Sequence, residues 1–291
     1  MNPYLLSVIL GIVEGLTEFL PVSSTAHLRI TEALLKLDLK DPFWKMYTIV
    51  IQLGAILALF VFFTQRLLKF LGTFPKGERG DRTLLTHPLS LVVIAFVCTA
   101  VPALLAKKII GENLESIPRI AWALLIGGVV MWAVDWLCRL PRTLHMEEMS
   151  LPQAIWIGLI QTLSAIFPGT SRSMATIAAG QTVGLSRAAA LEFSFFLSIP
   201  TMFAATGKEL WSTIHPKQVE AAAETADKLA PLVMTSDNWI VLAIGTVVSF
   251  IVALGVVAWF MRWVQRNGFL PFAIYRIVLG GLLLAGVLGI K

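Results

Sequence analysis

"GIVEGLTEFLPVSSTAHLRI", residues 11–30, begins like the interior of a membrane helix and then stops behaving like one. Glu14 and Glu18 interrupt the apolar run, Pro21 ends it, and Ser23, Ser24, Thr25 and His27 follow at once. A segment built only to cross a bilayer has no use for paired carboxylates and a break lined with hydroxyls. The remainder of the chain defines the environment in which those groups sit.

Of 291 residues, 57% are hydrophobic and 14% are charged, and the mean hydropathy is +0.79. Soluble domains run at roughly 45–50% apolar and about 25% charged. Long apolar runs separated by short charged loops give an all-α polytopic membrane protein. The net charge of +5 and pI near 9.4 do not call for nucleic acid, because the basic residues sit between apolar segments, where they set topology and attract anionic lipid. Cys98 and Cys138 both fall inside apolar segments and read as small buried hydrophobes without disulfide or metal spacing. The start, "MNPYLLSVIL", lacks the basic residues and the small-residue cleavage site of a removable signal peptide.

Six segments are long enough to span: 43–63, 87–106, 118–138, 188–206, 238–261 and 270–289. Two more, 5–20 and 151–167, are shorter and run into "PVSSTAH" and "PGTSRSM". Polar, proline-bearing backbone is tolerated at membrane depth only where protein or a water-filled cavity satisfies it. Each is therefore predicted to be the first arm of a re-entrant hairpin, with second arms over 28–37 and 174–184.

The two interrupted segments also match each other. Glu14 falls on Gln161, Thr17 on Ser164, Pro21 on Pro168, Ser23 on Thr170 and Ser24 on Ser171, an offset of 161 − 14 = 147 in a 291-residue chain. Later, "IPRIAWALLIGG" matches "LPFAIYRIVLGG", with Pro118 on Pro271 at 271 − 118 = 153. The longer loop at 207–237 absorbs the difference. The pattern predicts two repeats in one membrane domain, 1–145 with a hairpin over 5–37 and 146–291 with a hairpin over 151–184, each hairpin followed by three spans. Three is odd, so the second repeat enters from the opposite face. Inverted-topology repeats of this kind bring broken helices together near the midplane. The loops at 64–86, 139–150 and 262–269 share one face and are rich in arginine, which leans toward that face being cytoplasmic.

Ionisable groups at membrane depth cost roughly 2.5–3.5 kcal/mol each on insertion scales and usually carry a function and a partner. The candidates are Glu14, Glu18, His27, Arg172, Glu192 and Arg276. Glu14 and Glu18, four apart, share one helical face and repel each other when both are ionised. A divalent cation relieves that repulsion, and hard oxygen ligands suit Mg²⁺ or Ca²⁺. Arg172 lies in the matching break among Thr170, Ser171, Ser173 and Thr176, and a guanidinium beside hydroxyls and a half-helix N-terminus is shaped for phosphate. Metal on one hairpin and arginine on the other would clamp a diphosphate. His27 can serve as nucleophile or base, and Ser24 as nucleophile or phosphate ligand. No separate base adjoins Ser24 in sequence, which tips the choice slightly toward His27. Ser23, Thr25 and Ser173 are equally suited to helix capping and to ligand contact. Arg276 either contacts substrate or pairs with Glu192 or Asp135, and the tryptophans, such as Trp132, Trp136, Trp156 and Trp263, read as interface anchors.

"EGLTEFLPVSSTAH" and "PGTSRSMAT" resemble the two signature motifs of the bacterial undecaprenyl-diphosphatases, the bacitracin-resistance family, and "IQLGAILA", "EFSFFLSIP" and "PFAIYR" are similar to other stretches of it. The resemblance covers essentially the whole chain. It implies a multi-pass inner-membrane hydrolase that converts undecaprenyl diphosphate to the monophosphate and inorganic phosphate, recycling the lipid carrier of cell-wall synthesis. Its active site would open to the periplasm, and bacitracin would compete for the substrate. On this resemblance Glu14 and Glu18 are the paired, cation-associated glutamates. Ser24 and His27 match its serine and histidine, and Ser171, Arg172, Ser173 and Thr176 match its second motif. Ala26 stands where glycine is common, and a positive φ there would be strained; Met174 stands where a small residue is common. The rival reading is a polyprenyl-phosphate flippase or secondary transporter using the same pocket. Oligomeric state stays open, a homo-oligomer included.

Overall fold

The computed structural model describes residues 2–38, 41–106, 116–214, 234–287 and 289. Residues 215–233, most of the long loop in the second half, therefore lie outside the described residues. Among the described residues the chain forms twelve α-helices, one 3-10 turn at Met146–Glu148, and a single isolated bridge between Thr143 and Leu185. An all-α membrane protein is what the composition requires, since a helix satisfies its own backbone in lipid.

The first arm of the first hairpin is α1 (Pro3–Thr17) and its second arm is α2 (Ser24–Leu34). One crossing is shared by α3 (Pro42–Val50) and α4 (Gln52–Phe62), which together run from Pro42 to Phe62. The short α5 (Thr64–Thr73) precedes α6 (Pro88–Leu105) and α7 (Ile117–Leu137). The second hairpin is α8 (Leu151–Ile166) with α9 (Arg172–Thr182), followed by α10 (Arg187–Ile214), α11 (Ser236–Asn267) and α12 (Leu270–Leu284).

Five of the six expected spans are long and apolar enough to cross a membrane. The sixth is shorter than expected: α12 has 15 residues and stops at Leu284. Gly286 sits at φ 69°, its N–H donates to Leu283 O at 3.1 Å and the Val287 N–H donates to Leu282 O at 3.2 Å, a Schellman stop that ends the helix before the apolar sequence does. The second hairpin arms also differ from expectation, beginning at Ser24 and Arg172 rather than at 28 and 174. The hydroxyl runs do not prolong the breaks. Ser23 and Ser171 cap the returning helices, accepting from Ala26 N and Met174 N, each at 3.3 Å. These caps place Ser23 on Ser171, an offset of 171 − 23 = 148, so the register of the two motifs slips by one at the break. The unusual backbone sits at the same residues, with φ 75° at Ser23 and 71° at Ser171, while Ala26 is helical and unstrained.

Packing is reciprocal between the halves. The first arm α1 lies on α11 and the first arm α8 lies on α6, while α7 and α12 pair with each other. Small residues set these close approaches: a Cβ at Gly11 would stand 2.7 Å from Gly245 O on α11, and one at Gly158 would stand 2.3 Å from Ala95 O on α6. Cys98 and Cys138 are free and only half-buried, so neither is a core residue. Trp132, Trp136 and Trp156 are exposed on the outer surface, as interface anchors require.

Two expected pairings are replaced. Glu192 accepts from Arg66 Nε at 2.8 Å, and Asp135 accepts from Arg187 Nε at 2.6 Å and from the Phe269 N–H at 3.2 Å, so neither meets Arg276. Arg66 also donates to Glu147; burial would raise that carboxyl, but the guanidinium outweighs burial and holds it below the usual carboxylate range. Arg276 itself is fully buried among backbone carbonyls. Its Nη1 donates to Pro21 O at 3.2 Å, and its Nη2 to Ala123 O at 3.0 Å, Gly169 O at 3.1 Å and Thr170 O at 3.0 Å. One side chain thus ties the first break, the second break and α7 together. It needs Gly127, where a Cβ would stand 2.3 Å from Nη2.

Removing that guanidinium leaves buried carbonyls at about 1–3 kcal/mol each. Arg276→Met is expected to lower the melting temperature of the detergent-solubilised protein strongly. Arg276→Lys, which keeps charge but loses the fork, should recover only part of it, with KM close to wild type. Unchanged melting together with a raised KM would instead make Arg276 a substrate contact.

Candidate active site

The two breaks meet across a polar cleft of about 150 Å³. Its walls are Glu18, Ser23, Ser24 and Thr25 from the first break, Gly169, Ser171 and Arg172 from the second, and Gln52, Ser164, Thr201 and Met202 from α4, α8 and α10. Each break presents the N-terminus of its returning helix, where N–H groups without intrahelical acceptors favour an anion.

Glu18 is the centre of the cleft. Its Oε1 accepts from Arg172 Nη2 at 3.1 Å and its Oε2 accepts from Ser24 Oγ at 2.5 Å. Arg172 is fixed from behind, donating through Nη1 to Ser194 O at 3.2 Å. The carboxylate therefore joins the hydroxyl of one hairpin to the guanidinium of the other. It also sets a proton acceptor against Ser24 that no neighbour in the local sequence offered, because the five residues between them fold back through the break.

Glu14 lies one helical turn deeper and is fully buried. Neither of its oxygens has a hydrogen-bond donor, and it stands beside the Glu18 carboxylate in the field of Arg172. A buried carboxyl without a donor, next to a second carboxyl, fits a cation or a proton held between them. Among the described residues no three His, Cys, Asp or Glu side chains converge as a metal cage. The donor set is instead two carboxylates with the Ser24 hydroxyl nearby, the sparse oxygen set from which Mg²⁺ keeps waters and takes substrate phosphate.

His27 does not line the cleft. Its Nδ1 donates to Ser23 O at 2.7 Å, which leaves Nε2 of the neutral ring as acceptor for the Tyr275 hydroxyl at 2.6 Å. The two rings are stacked, with centroids 5.5 Å apart. Both nitrogens are engaged, and the ring turns toward α12.

The other expected contacts divide in the same way. Thr25 faces the cleft. Ser23 and Ser171 line it while capping. Ser173 is buried and donates to Leu20 O at 3.0 Å, binding the second hairpin to the first break. Thr176 is buried against Ser194, with the hydroxyl oxygens 2.6 Å apart. Thr170 turns its side chain to the opposite face of the break. Arg276 lies outside the cleft. Residues not anticipated are Gln52, Ser194, Thr201 and Tyr275; three of them belong to "IQLGAILA", "EFSFFLSIP" and "PFAIYR", so the signal was present in the stretches without pointing to the residue.

The profile of the family described as "Bacitracin resistance protein BacA" matches residues 7–282. A protein named undecaprenyl-diphosphatase from Koribacter versatilis is 61% identical over 289 residues, 99% of each chain. One of the same name from Rhizobium etli is 41% identical over 282 residues, covering 97% of this chain and 96% of that one. Another from Thermus thermophilus is 40% identical over 275 residues, 94% and 93% of the two chains. On the paired breaks, the cleft between them and this near full-length similarity, the chain belongs to the bacitracin resistance protein BacA family.

Proposed function

We propose that this chain is a membrane undecaprenyl-diphosphatase, which hydrolyses undecaprenyl diphosphate to undecaprenyl phosphate and inorganic phosphate. The observation that carries the reading is the Glu18 carboxylate, which holds the Ser24 hydroxyl at 2.5 Å and the Arg172 guanidinium at 3.1 Å. A carrier that only moves a lipid phosphate has no use for a hydroxyl seated on a base. Neither the flippase nor the transporter reading gains support from relatives named as diphosphatases.

The terminal phosphate sits against Arg172 and the N-termini of α2 and α9. Ser24 Oγ attacks phosphorus as its proton passes to Glu18 Oε2, the anhydride bond breaks, and the prenyl monophosphate leaves. Water then opens the phosphoserine, its proton taken by the same carboxyl after release of the first. Arg172 meets the charge that builds on the phosphoryl oxygens. Glu14 and Glu18 would hold a divalent cation, Mg²⁺ or Ca²⁺, which when bound offsets phosphate charge. His27, locked to Ser23 and Tyr275, orients the start of α2 and with it Ser24.

The same reading makes the chain two inverted repeats in a bacterial inner membrane, and the reciprocal packing of α1 on α11 and α8 on α6 supports it. The arginine-rich loops on the opposite face favour a cleft opening to the periplasm. Bacitracin, by capturing the lipid diphosphate, would compete with this cleft for substrate.

Phosphate release from undecaprenyl diphosphate by purified protein is expected to fall on chelation and recover with Mg²⁺ or Ca²⁺. Glu14→Gln and Glu18→Gln should each lose activity and metal affinity while still folding; full activity with unchanged metal dependence in either would remove the carboxylates from the site.

Ser24→Ala should abolish turnover, whereas Tyr275→Phe, which frees His27 Nε2, should leave most of it. When hydrolysis is slowed, an acid-stable phosphoserine is expected; an acid-labile phosphohistidine would transfer the attack to His27. Arg172→Lys, keeping charge without the planar fork, should cost on the order of 10²–10³ in kcat, as loss of one transition-state donor does. Near-normal turnover in that variant would sink the shared cleft.

A further inference from the structure

An apolar groove of about 560 Å³ runs along the outer side of the second hairpin, between α7, α8 and α9. On α8 its wall is the i, i+3, i+7 stripe Ile160, Leu163 and Phe167, and on α7 it is Trp122 and Ile126. The floor is small: Ala175 and Ala178 of α9 lie at its base. In the register set by the two serine caps, these positions correspond to His27 and Ile30 of α2. There the equivalent seam is closed, because His27 stacks on Tyr275 of α12, the counterpart of Trp122, and Ile30 is buried. One seam of the pair is filled by large side chains, and the other is left open by two alanines.

The open seam shares a wall with the catalytic cleft. Along the second break, Pro168 and Thr170 line the groove while Gly169, Ser171 and Arg172 line the cleft. A lipid whose phosphates rest on Arg172 has its first carbons at the tip of this break, and the groove begins on the far side of that tip.

Resting on the diphosphatase reading, we propose that the groove between α7, α8 and α9 holds the polyprenyl chain of the substrate. The chain drapes over Pro168–Thr170 and runs down α9. A long isoprenoid chain would then be held along its length, whereas a short one engages only the tip, so the groove makes the enzyme selective for chain length. Affinity for the long chain would come from van der Waals packing of the chain against the groove and from shape, without adding any polar contact to the chemistry.

Ala178 lies six residues beyond Arg172, about 9 Å along the helix, past the reach of a chain of one isoprene unit. Ala178→Phe is expected to raise KM for undecaprenyl diphosphate about tenfold, the worth of a few displaced methylenes. Hydrolysis of dimethylallyl diphosphate, with one isoprene unit, should stay unchanged. An unchanged KM for the long substrate in the folded variant, or an equal loss with both substrates, would overturn the groove assignment. Wild-type protein that hydrolyses neither substrate would overturn the diphosphatase reading itself. Independently of any variant, an undecaprenyl phosphate carrying a diazirine on its third isoprene unit should label α7 and α9 of the wild-type protein. Excess undecaprenyl phosphate should displace the label and phospholipid should not. Displacement by phospholipid to the same extent would make the groove an ordinary bilayer contact and overturn the assignment.

Discussion

Backbone carbonyls at two broken helices, withdrawn from water, need donors that no helix can give them, and a single buried guanidinium supplies them. Arg276 reaches Pro21 O in one break and Gly169 O and Thr170 O in the other. A charge in that position would be prohibitive on its own, but four carbonyl dipoles solvate it. The consequence is geometric. Because the same group holds both breaks, Ser24 and Arg172, which follow them by a few residues, are fixed with respect to one another. Ser173 adds a second tie, from the second hairpin to Leu20 O. The cleft is therefore assembled by backbone satisfaction before any catalytic contact is made.

Within that frame the charges do not balance, and the imbalance is chemically useful. Glu14 and Glu18 bring two carboxylates, and among the described residues Arg172 is the cation that answers them at the cleft. Arg276 is occupied by carbonyls. Adding a diphosphate would place further negative charge in a site of low dielectric, where each uncompensated pair is far more costly than in water. A cation on the carboxylates, or a proton between them, resolves the conflict. The strained backbone at Ser23 and Ser171 belongs to the same design: positive φ in a residue other than glycine persists only where surrounding contacts over-determine it, and here those contacts are the caps and the Arg276 staple.

Much of the fold was legible in the sequence because bilayer physics makes it so. Apolar length gives the spans, and the polar breaks at Pro21 and Pro168 cannot face lipid. What the sequence hid were terminators and side-chain directions. The stop at Leu284 depends on Gly286 adopting φ 69° among otherwise apolar residues, and composition does not distinguish that glycine from its neighbours. The polar run after Pro21 looked like an extended break, since a serine that caps and a serine that binds ligand are the same letter. The carboxylates and Arg172 were legible in the cleft because buried charge has few other uses. Glu18 as the partner of Ser24 was not, as the contact depends on how the break turns. The position of His27 beside the cleft rather than in its lining was hidden for the same reason: its stack on Tyr275 joins residues from opposite ends of the chain.

The two hairpins share one architecture and carry different side chains on it. Both have an apolar first arm, a proline-bearing break and a serine cap at positive φ. The first keeps two carboxylates where the second has Gln161 and Ala165, and Gln161 donates instead to Thr99 at 3.1 Å and Thr201 at 3.2 Å. The second has the guanidinium where the register of the caps places Ser24. On the outer side the difference reverses, with bulky His27 against Tyr275 on the first hairpin and alanines under an open groove on the second. Symmetry supplies two converging helix N-termini, a good cradle for phosphate. Only departures from symmetry put a carboxylate against a hydroxyl on one side and a guanidinium with an apolar groove beside it on the other.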